Sequence, residues 1–413
     1  MKVSVLTLGC KANQAESAII EADLQSRGCN IVDLHDTPDF CVINTCAVTS
    51  KSDYESRRFI RRAHKAGSSV IVTGCYAQLN REKVKAMESV TLVVDNRDKS
   101  SIGQVVTGNT SCLTSSSCLP GRSRYLLKVQ DGCNHACSYC IIPNARGRSR
   151  SIPIETVIQQ IGSISDSYGE VVLTGIHLGT YGYDLLPKVS LSLLIETILS
   201  RTKIKRIRLS SLEVREVDDQ LIELIQEARV CKHLHIPLQS GDDRILMKMR
   251  RTYNSREFID RINYLLSRVS GIAIGTDIIV GFPGESNEEF ENTRAIVESI
   301  PFSYLHVFPF SARKGTEASK MPSGLDPETK RRRCLELRGL GSKKKMTYMK
   351  NQIGKTLDML VEERDSSGAC LGTTGNYLKV RAFVESACVK DIVPVRIARA
   401  DELTLEGLPI SKI

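Results

Sequence analysis

Apolar positions along this chain come in short blocks, each followed by a stretch whose apolar residues recur at helical spacing. Near the N-terminus three such blocks run Val3–Cys10, Phe40–Cys46 and Val70–Cys75, each ending on a cysteine. Strand-like runs that alternate with helical ones predict a parallel sheet. From Arg124 onward six more blocks follow the same rhythm: 125–130, 170–174, 206–210, 233–238, 272–280 and 304–310. Six (β/α) units make a partial barrel, short of the eight needed for closure and therefore open on one side. After about residue 350 the pattern changes to short strands with glycine turns, 356–362, 378–384 and 392–398, which predicts a small β-barrel. Between residues 107 and 123 the chain is polar, small and without periodicity, and reads as a linker. The fold class is thus α/β, with a parallel-sheet domain (1–106), the linker (107–123), a partial barrel (124–348) and a β-barrel (349–413).

Composition changes this picture only in part. Of 413 residues, 41% are hydrophobic, enough to supply a core for each domain. No run approaches the 18 apolar residues of a membrane span, and the start lacks a basic segment with a cleavage site. A cytoplasmic, soluble protein is expected. The net charge of +10, from 57 Lys and Arg against 47 Asp and Glu, favours a polyanionic partner. Between Arg313 and Lys350, 12 basic residues face 4 acidic ones, and Arg57, Arg58, Arg61 and Arg62 put a basic face on one helix. Both stretches also fit plain solvated helices.

The 14 cysteines carry the chemistry. Cys133, Cys137 and Cys140 have the spacing CxxxCxxC, and three thiolates leave one position of a metal centre open. Cys10, Cys46 and Cys75 end three strands of one parallel sheet, so they should converge on a second open site. Gly9 and Gly74 suit tight turns before two of them. Cys29 and Cys41 read as small buried hydrophobes, and Cys112 and Cys118 stay outside the site. Barrel strands end in Thr174-Gly175, Ser210-Ser211-Leu212-Glu213, Gln239 and Gly281, loops that can form a ligand pocket on one face. His177 reads as a hydrogen-bonded loop residue before it reads as a base.

The two trios in this order, with Thr73-Gly74-Cys75-Tyr76-Ala77-Gln78 and Cys140-Ile-Ile-Pro-Asn-Ala-Arg146-Gly147-Arg148, resemble the radical S-adenosylmethionine methylthiotransferases. The resemblance spans nearly the whole chain apart from the linker. It implies two [4Fe-4S] clusters, one per trio, and S-adenosylmethionine held around Tyr139, Thr174, Gly175, Ser211, Glu213, Gln239 and Gly281. It also implies a 5′-deoxyadenosyl radical made at the barrel cluster and sulfur donated at the N-terminal one. The implied substrate is a tRNA anticodon stem-loop carrying N6-threonylcarbamoyladenosine, with an electron donor such as flavodoxin or ferredoxin, and neither DNA nor a membrane as partner. Sister groups act on isopentenyladenosine or on a ribosomal-protein aspartate. Val214 stands where relatives often have proline. The C-terminal region is similar to a TRAM domain, which implies RNA contacts at Tyr377, Lys379 and Arg381, while the Tyr377 ring fits packing in the barrel core equally well. Arg57, Arg61, Arg331, Arg332 and Lys344 are further expected phosphate contacts. Outside this family, the residues also fit a noncatalytic RNA-binding protein with structural metal sites.

Overall fold

The computed structural model describes residues 1–108, 123–322 and 324–410. The expected linker falls almost wholly outside them, as do Cys112 and Cys118. In the N-terminal domain strands β1 (Lys2–Thr7), β2 (Asn30–Ile31), β3 (Phe40–Thr45), β4 (Ser69–Gly74) and β5 (Leu92–Val93) form a parallel sheet in the order β2-β1-β3-β4-β5. Helices α1 (Lys11–Ser26), α2 (Ser50–Lys65) and α3 (Cys75–Leu79) follow β1, β3 and β4. Val42, Ile43, Val70, Ile71 and Val72 are fully or almost fully buried, as a sheet covered on both faces requires.

The barrel region starts with β6 (Arg124–Lys128) and a short antiparallel pair, β7 (Gln130–Asp131) and β8 (Arg150–Ser151). Strands β9 (Glu170–Thr174), β10 (Arg206–Leu209), β11 (His233–His235), β12 (Ala273–Val280) and β13 (Tyr304–Pro309) complete six parallel strands. They form two leaves, β6-β9-β10 and β11-β12-β13, each parallel throughout. Backbone bonds from Ile207 N to Arg229 O (2.7 Å) and from Leu212 N to His235 O (3.0 Å) join the leaves. The core of this region is built from Ile, Leu and Val of the strands and of the helices packed outside them. Helix α1 lies against β6, and a long helix, Pro327–Lys350, packs beside β13.

The C-terminal strands β14 (Thr356–Arg364), β15 (Cys370–Thr374), β16 (Lys379–Ala382), β17 (Ile392–Ala400) and β18 (Leu405–Pro409) close into a barrel in the order β14-β15-β16-β18-β17. The sequence pattern showed three of these. β15 was hidden because its glycine and threonines read as part of a turn, and β18 because it is short and rich in turn formers.

This barrel docks on the central one through buried charge. Glu170, 0% exposed, accepts from Arg206 Nε (2.5 Å) and Arg208 Nε (2.7 Å). The same guanidinium groups donate across the interface, Arg206 to Asp358 O (2.9 Å) and Thr373 O (3.0 Å), Arg208 to Thr374 O (2.9 Å) and Gly375 O (3.1 Å). Burial alone would raise the Glu170 carboxyl, but Arg208 and Arg206 override it and hold it at about 2 against the usual 4.5. A depressed carboxyl contributes stability that is complete above the unfolded value and lost as pH falls through the folded one. Glu170→Gln should therefore cost about 3 kcal/mol at neutral pH, because it strands buried guanidinium charge. In urea titrations the variant should also lack the part of the acid loss that the parent shows between pH 4.5 and about 2.

Candidate active site between two thiol trios

Cys10 precedes α1, Cys46 follows β3 directly, and Cys75 is the first residue of α3. Since β1, β3 and β4 are neighbours in the sheet, their end loops leave it side by side, and the three thiols converge as the sequence predicted. Gly9 and Gly74 both sit at φ +96°. A Cβ on Gly9 would stand 2.7 Å from Cys46 Sγ, and one on Gly74 would stand 2.3 Å from Thr45 O, so both loops close only with glycine. Amide side chains fix the loops: Asn13 donates to Leu8 O (2.7 Å) and Thr45 O (3.0 Å), and Asn44 donates to Asn13 O (3.0 Å).

Cys133, Cys137 and Cys140 occupy the segment that leads into the helix Ile142–Arg146. With Asn134, Asn144, Arg148 and Arg250 they line a cleft of about 410 Å³, within the range of small-molecule sites. Cys133 Sγ lies 3.5 Å from His177 Nδ1, whose other ring nitrogen faces Glu216. Arg251 donates to Cys137 Sγ (3.4 Å) and to the Tyr139 hydroxyl (3.4 Å), and pairs with Glu213. Burial pushes the thiols of Cys46, Cys75, Cys137 and Cys140 up, the last to about 12, so filling either site must release protons.

Arg146 joins the trios. Six residues beyond Cys140, it is 3% exposed and stands beside Cys75. It donates to Glu16 Oε1 (2.7 Å), Asn13 Oδ1 (2.5 Å) and Asp131 Oδ1 (2.9 Å). The next residue, Gly147, accepts from Cys133 N at 3.1 Å. One dipeptide thus touches a cysteine of each trio. Glu16 also binds Lys99 and Lys128. Burial opposes its ionisation, but Lys99, Arg146 and Lys128 hold the carboxyl well below the usual range.

Among the described residues the one set of three ligand atoms within 4.8 Å of one another is His235, Asp277 and His306. Neither cysteine trio is drawn that close. Each trio supplies three thiolates where an iron–sulfur cluster takes four ligands. Arg146 Nε is buried with no acceptor among the described residues, a donor suited to a cluster sulfur.

Family models match residues 2–95, to an uncharacterized protein family (UPF0004), and residues 127–296, to the Radical SAM superfamily. The threonylcarbamoyladenosine tRNA methylthiotransferase MtaB of Bacillus subtilis is 36% identical to this chain over 98% of its length and 95% of its own. The chain belongs to the radical S-adenosylmethionine methylthiotransferases. Within that family, the tRNA-2-methylthio-N(6)-dimethylallyladenosine synthase of Pelotomaculum thermopropionicum is 30% identical over 98% of this chain and 97% of its own length. A radical S-adenosylmethionine methyltransferase, TsrM, from Kitasatospora setae, solved with cobalamin and a [4Fe-4S] cluster, shares the fold at a TM-score of 0.55 and 14% identity. That match covers 75% of this chain and 74% of TsrM. Methylthiotransferases of this family use [4Fe-4S] clusters and S-adenosylmethionine, and the donor sets described above fit the clusters.

The other expected cofactor contacts lie at the strand ends. Thr174 is buried, and a Cβ on Gly175 would meet Gln130 Oε1 at 2.7 Å, the same atom that accepts from His177 N. Ser211 is exposed, and Glu213 is committed to Arg251. Gln239 and Gly281 both adopt positive φ, 63° and 74°. Tyr139 packs beside the buried cluster of Ile245, Met249, Phe282 and Ala318. His177 is a hydrogen-bonded loop residue as expected, but its partner is the thiol of Cys133.

Four of the expected RNA contacts have partners within the protein. Tyr377 is not a free platform: its ring stacks on His233 at 4.3 Å, with the Arg208 guanidinium 5.2 Å from its centroid. Lys344 donates to Glu298 O (2.9 Å) and Ile300 O (2.8 Å), capping a helix end. Lys379 pairs with Glu362, and Arg381 with Asp365. Arg57 reaches the Tyr76 hydroxyl (3.2 Å), whereas Arg61, Arg331 and Arg332 are exposed.

Proposed function

We propose that this chain is a tRNA methylthiotransferase that adds a methylthio group to C2 of N6-threonylcarbamoyladenosine beside the anticodon. The observation that carries this is Arg146-Gly147, a dipeptide in contact with Cys75 of one trio and Cys133 of the other. Cys133, Cys137 and Cys140 would hold the cluster that binds S-adenosylmethionine, and Cys10, Cys46 and Cys75 the cluster that presents sulfur. When bound, these groups supply a radical able to break an unactivated C–H bond, and the sulfur that replaces the hydrogen. The chain's own part is placement. Arg251 holds Glu213 and Tyr139 at the rim of the first site, the Asn13–Asn44–Thr45 bonds hold the loops of the second, and Arg146 ties the two together through Asn13 and Glu16.

A one-electron donor of the flavodoxin or ferredoxin type is required by this chemistry. Arg61, Arg331 and Arg332 remain free to meet tRNA phosphates. No helix of the described residues is long and apolar enough to cross a membrane. Mass spectrometry of tRNA nucleosides from cells lacking the gene tests the assignment. The 2-methylthio derivative of threonylcarbamoyladenosine should vanish and its precursor accumulate. An unchanged level sinks the assignment, and loss of the isopentenyl derivative instead would move the chain to the sister group.

A further inference from the structure

Lys11 follows Cys10 directly and opens α1, so its Cα is about 3.8 Å from that of a proposed ligand of the sulfur-presenting site. Its side chain runs to where all three domains meet. The ammonium stands 5.5 Å from the centroid of the Tyr377 ring, which belongs to the C-terminal barrel and stacks on His233 of β11. Lys11 is half-buried, and its Nζ has no hydrogen-bond acceptor or carboxylate partner among the described residues. The other lysines near the site differ in this respect, since Lys99 and Lys128 are both paired with Glu16.

The neighbourhood offers Lys11 no spare countercharge. Its one carboxylate, Glu170, is already shared among Arg124, Arg206 and Arg208. A half-buried ammonium amid other cations, with none of its donors used, is costly unless an anion completes it. The base to be modified must come to the site at Cys10. A threonylcarbamoyl group carries a carboxylate on the adenine, and an isopentenyl group carries no charge.

We propose that the Lys11 ammonium receives the carboxylate of the threonylcarbamoyl group, and so selects a carboxylate-bearing adenosine over an alkylated one. This rests on the substrate assigned above and names the residue that would enforce it. A backbone phosphate has the same anionic chemistry, and the experiment separates the two.

Binding is measured for anticodon stem-loops carrying threonylcarbamoyladenosine, its neutral methyl ester, isopentenyladenosine or plain adenosine. Iron- and sulfide-loaded parent, Lys11→Gln, Lys11→Met and Lys11→Arg proteins are compared. The parent should bind the free carboxylate about 10- to 100-fold more tightly than the methyl ester, the usual range for a charged hydrogen bond. Lys11→Gln and Lys11→Met should erase that gap, and Lys11→Arg should keep part of it. A gap that persists in the neutral variants overturns the role of Lys11 and leaves the substrate assignment standing. Equal losses on all four loops assign Lys11 to a phosphate. A parent that prefers the isopentenyl loop overturns the substrate assignment itself. Should neither neutral variant load its clusters, the parent's two affinities still decide, since equal binding of acid and ester rules the contact out.

Discussion

A Cys137→Ala chain should come out of anaerobic reconstitution with roughly half the iron and sulfide of the parent, one [4Fe-4S] complement in place of two. It should cleave no measurable S-adenosylmethionine. The reason is geometric as well as chemical. Cys137 is the middle ligand of the CxxxCxxC segment, and Arg251, which donates to its sulfur at 3.4 Å, also ties down Glu213 and Tyr139. Removing the thiol leaves two ligands and loosens the rim that would hold the cofactor.

Cys75→Ala should also lose about half the iron but should keep S-adenosylmethionine cleavage, uncoupled from sulfur transfer. The pair of variants separates the two sites. If both lost cleavage equally, the trios would not have the division of labour assigned to them. If iron were replaced by stoichiometric zinc without labile sulfide, the chain would hold structural metal and the radical chemistry would fall with it.

The sites were legible to different depths. Both trios could be placed from sequence because a strand's end is visible in one dimension: an apolar run, a glycine or short polar pair, then the cysteine. The neighbouring order of β1, β3 and β4 turned that into a single cluster of thiols. The connection between the trios could not be read in this way. Glu16 and Arg146 are separated by 130 residues, Lys99 opens a short helical turn and Asp131 ends β7. The trace in the sequence is a charge, Glu16, on a helix face of small buried residues such as Ala12, Ala15 and Ser17. A solvated face would also carry a glutamate, and only the packing of α1 against β6 shows the difference.

Tyr377, Lys344, Lys379 and Arg381 show partners that the sequence pattern does not reveal. An aromatic flanked by basic residues on a small β-barrel fits RNA, but the same residues fit a docking surface. Arg206 and Arg208, from a strand more than 160 residues earlier, take the turn carrying Tyr377 for that purpose. The basic helix divides likewise. Arg331 and Arg332 point outward, while Arg333 is buried against Glu285 (2.5 Å) and Asn287 (2.6 Å).

The second large effect belongs to Glu16. Glu16→Ala removes the carboxylate that Arg146, Lys99 and Lys128 share, and the first two of those cations are buried beside Asn13 and Asn44. Breaking such a cluster from one side typically costs about 3–5 kcal/mol, most of it the penalty of buried charge left without its partner. The exposed pair Arg256–Asp260 provides the control, because solvent screens it and removing it should leave the urea midpoint nearly unchanged. The sign with pH follows from the depressed Glu16 carboxyl. Its stabilisation is present above the ordinary carboxylate range and drains away as pH falls below it, so the gap between parent and variant in urea midpoint should narrow in acid. A readout specific to the connection is sulfur transfer per S-adenosylmethionine cleaved. With Arg146 held to α1 by Asn13 alone, the trios share a looser reference, and this ratio should fall even at temperatures where the variant remains folded. A variant that is destabilised but transfers sulfur with parental efficiency would show that Arg146 only staples the domains. A fall in the ratio would show that the same staple sets the position of one site relative to the other.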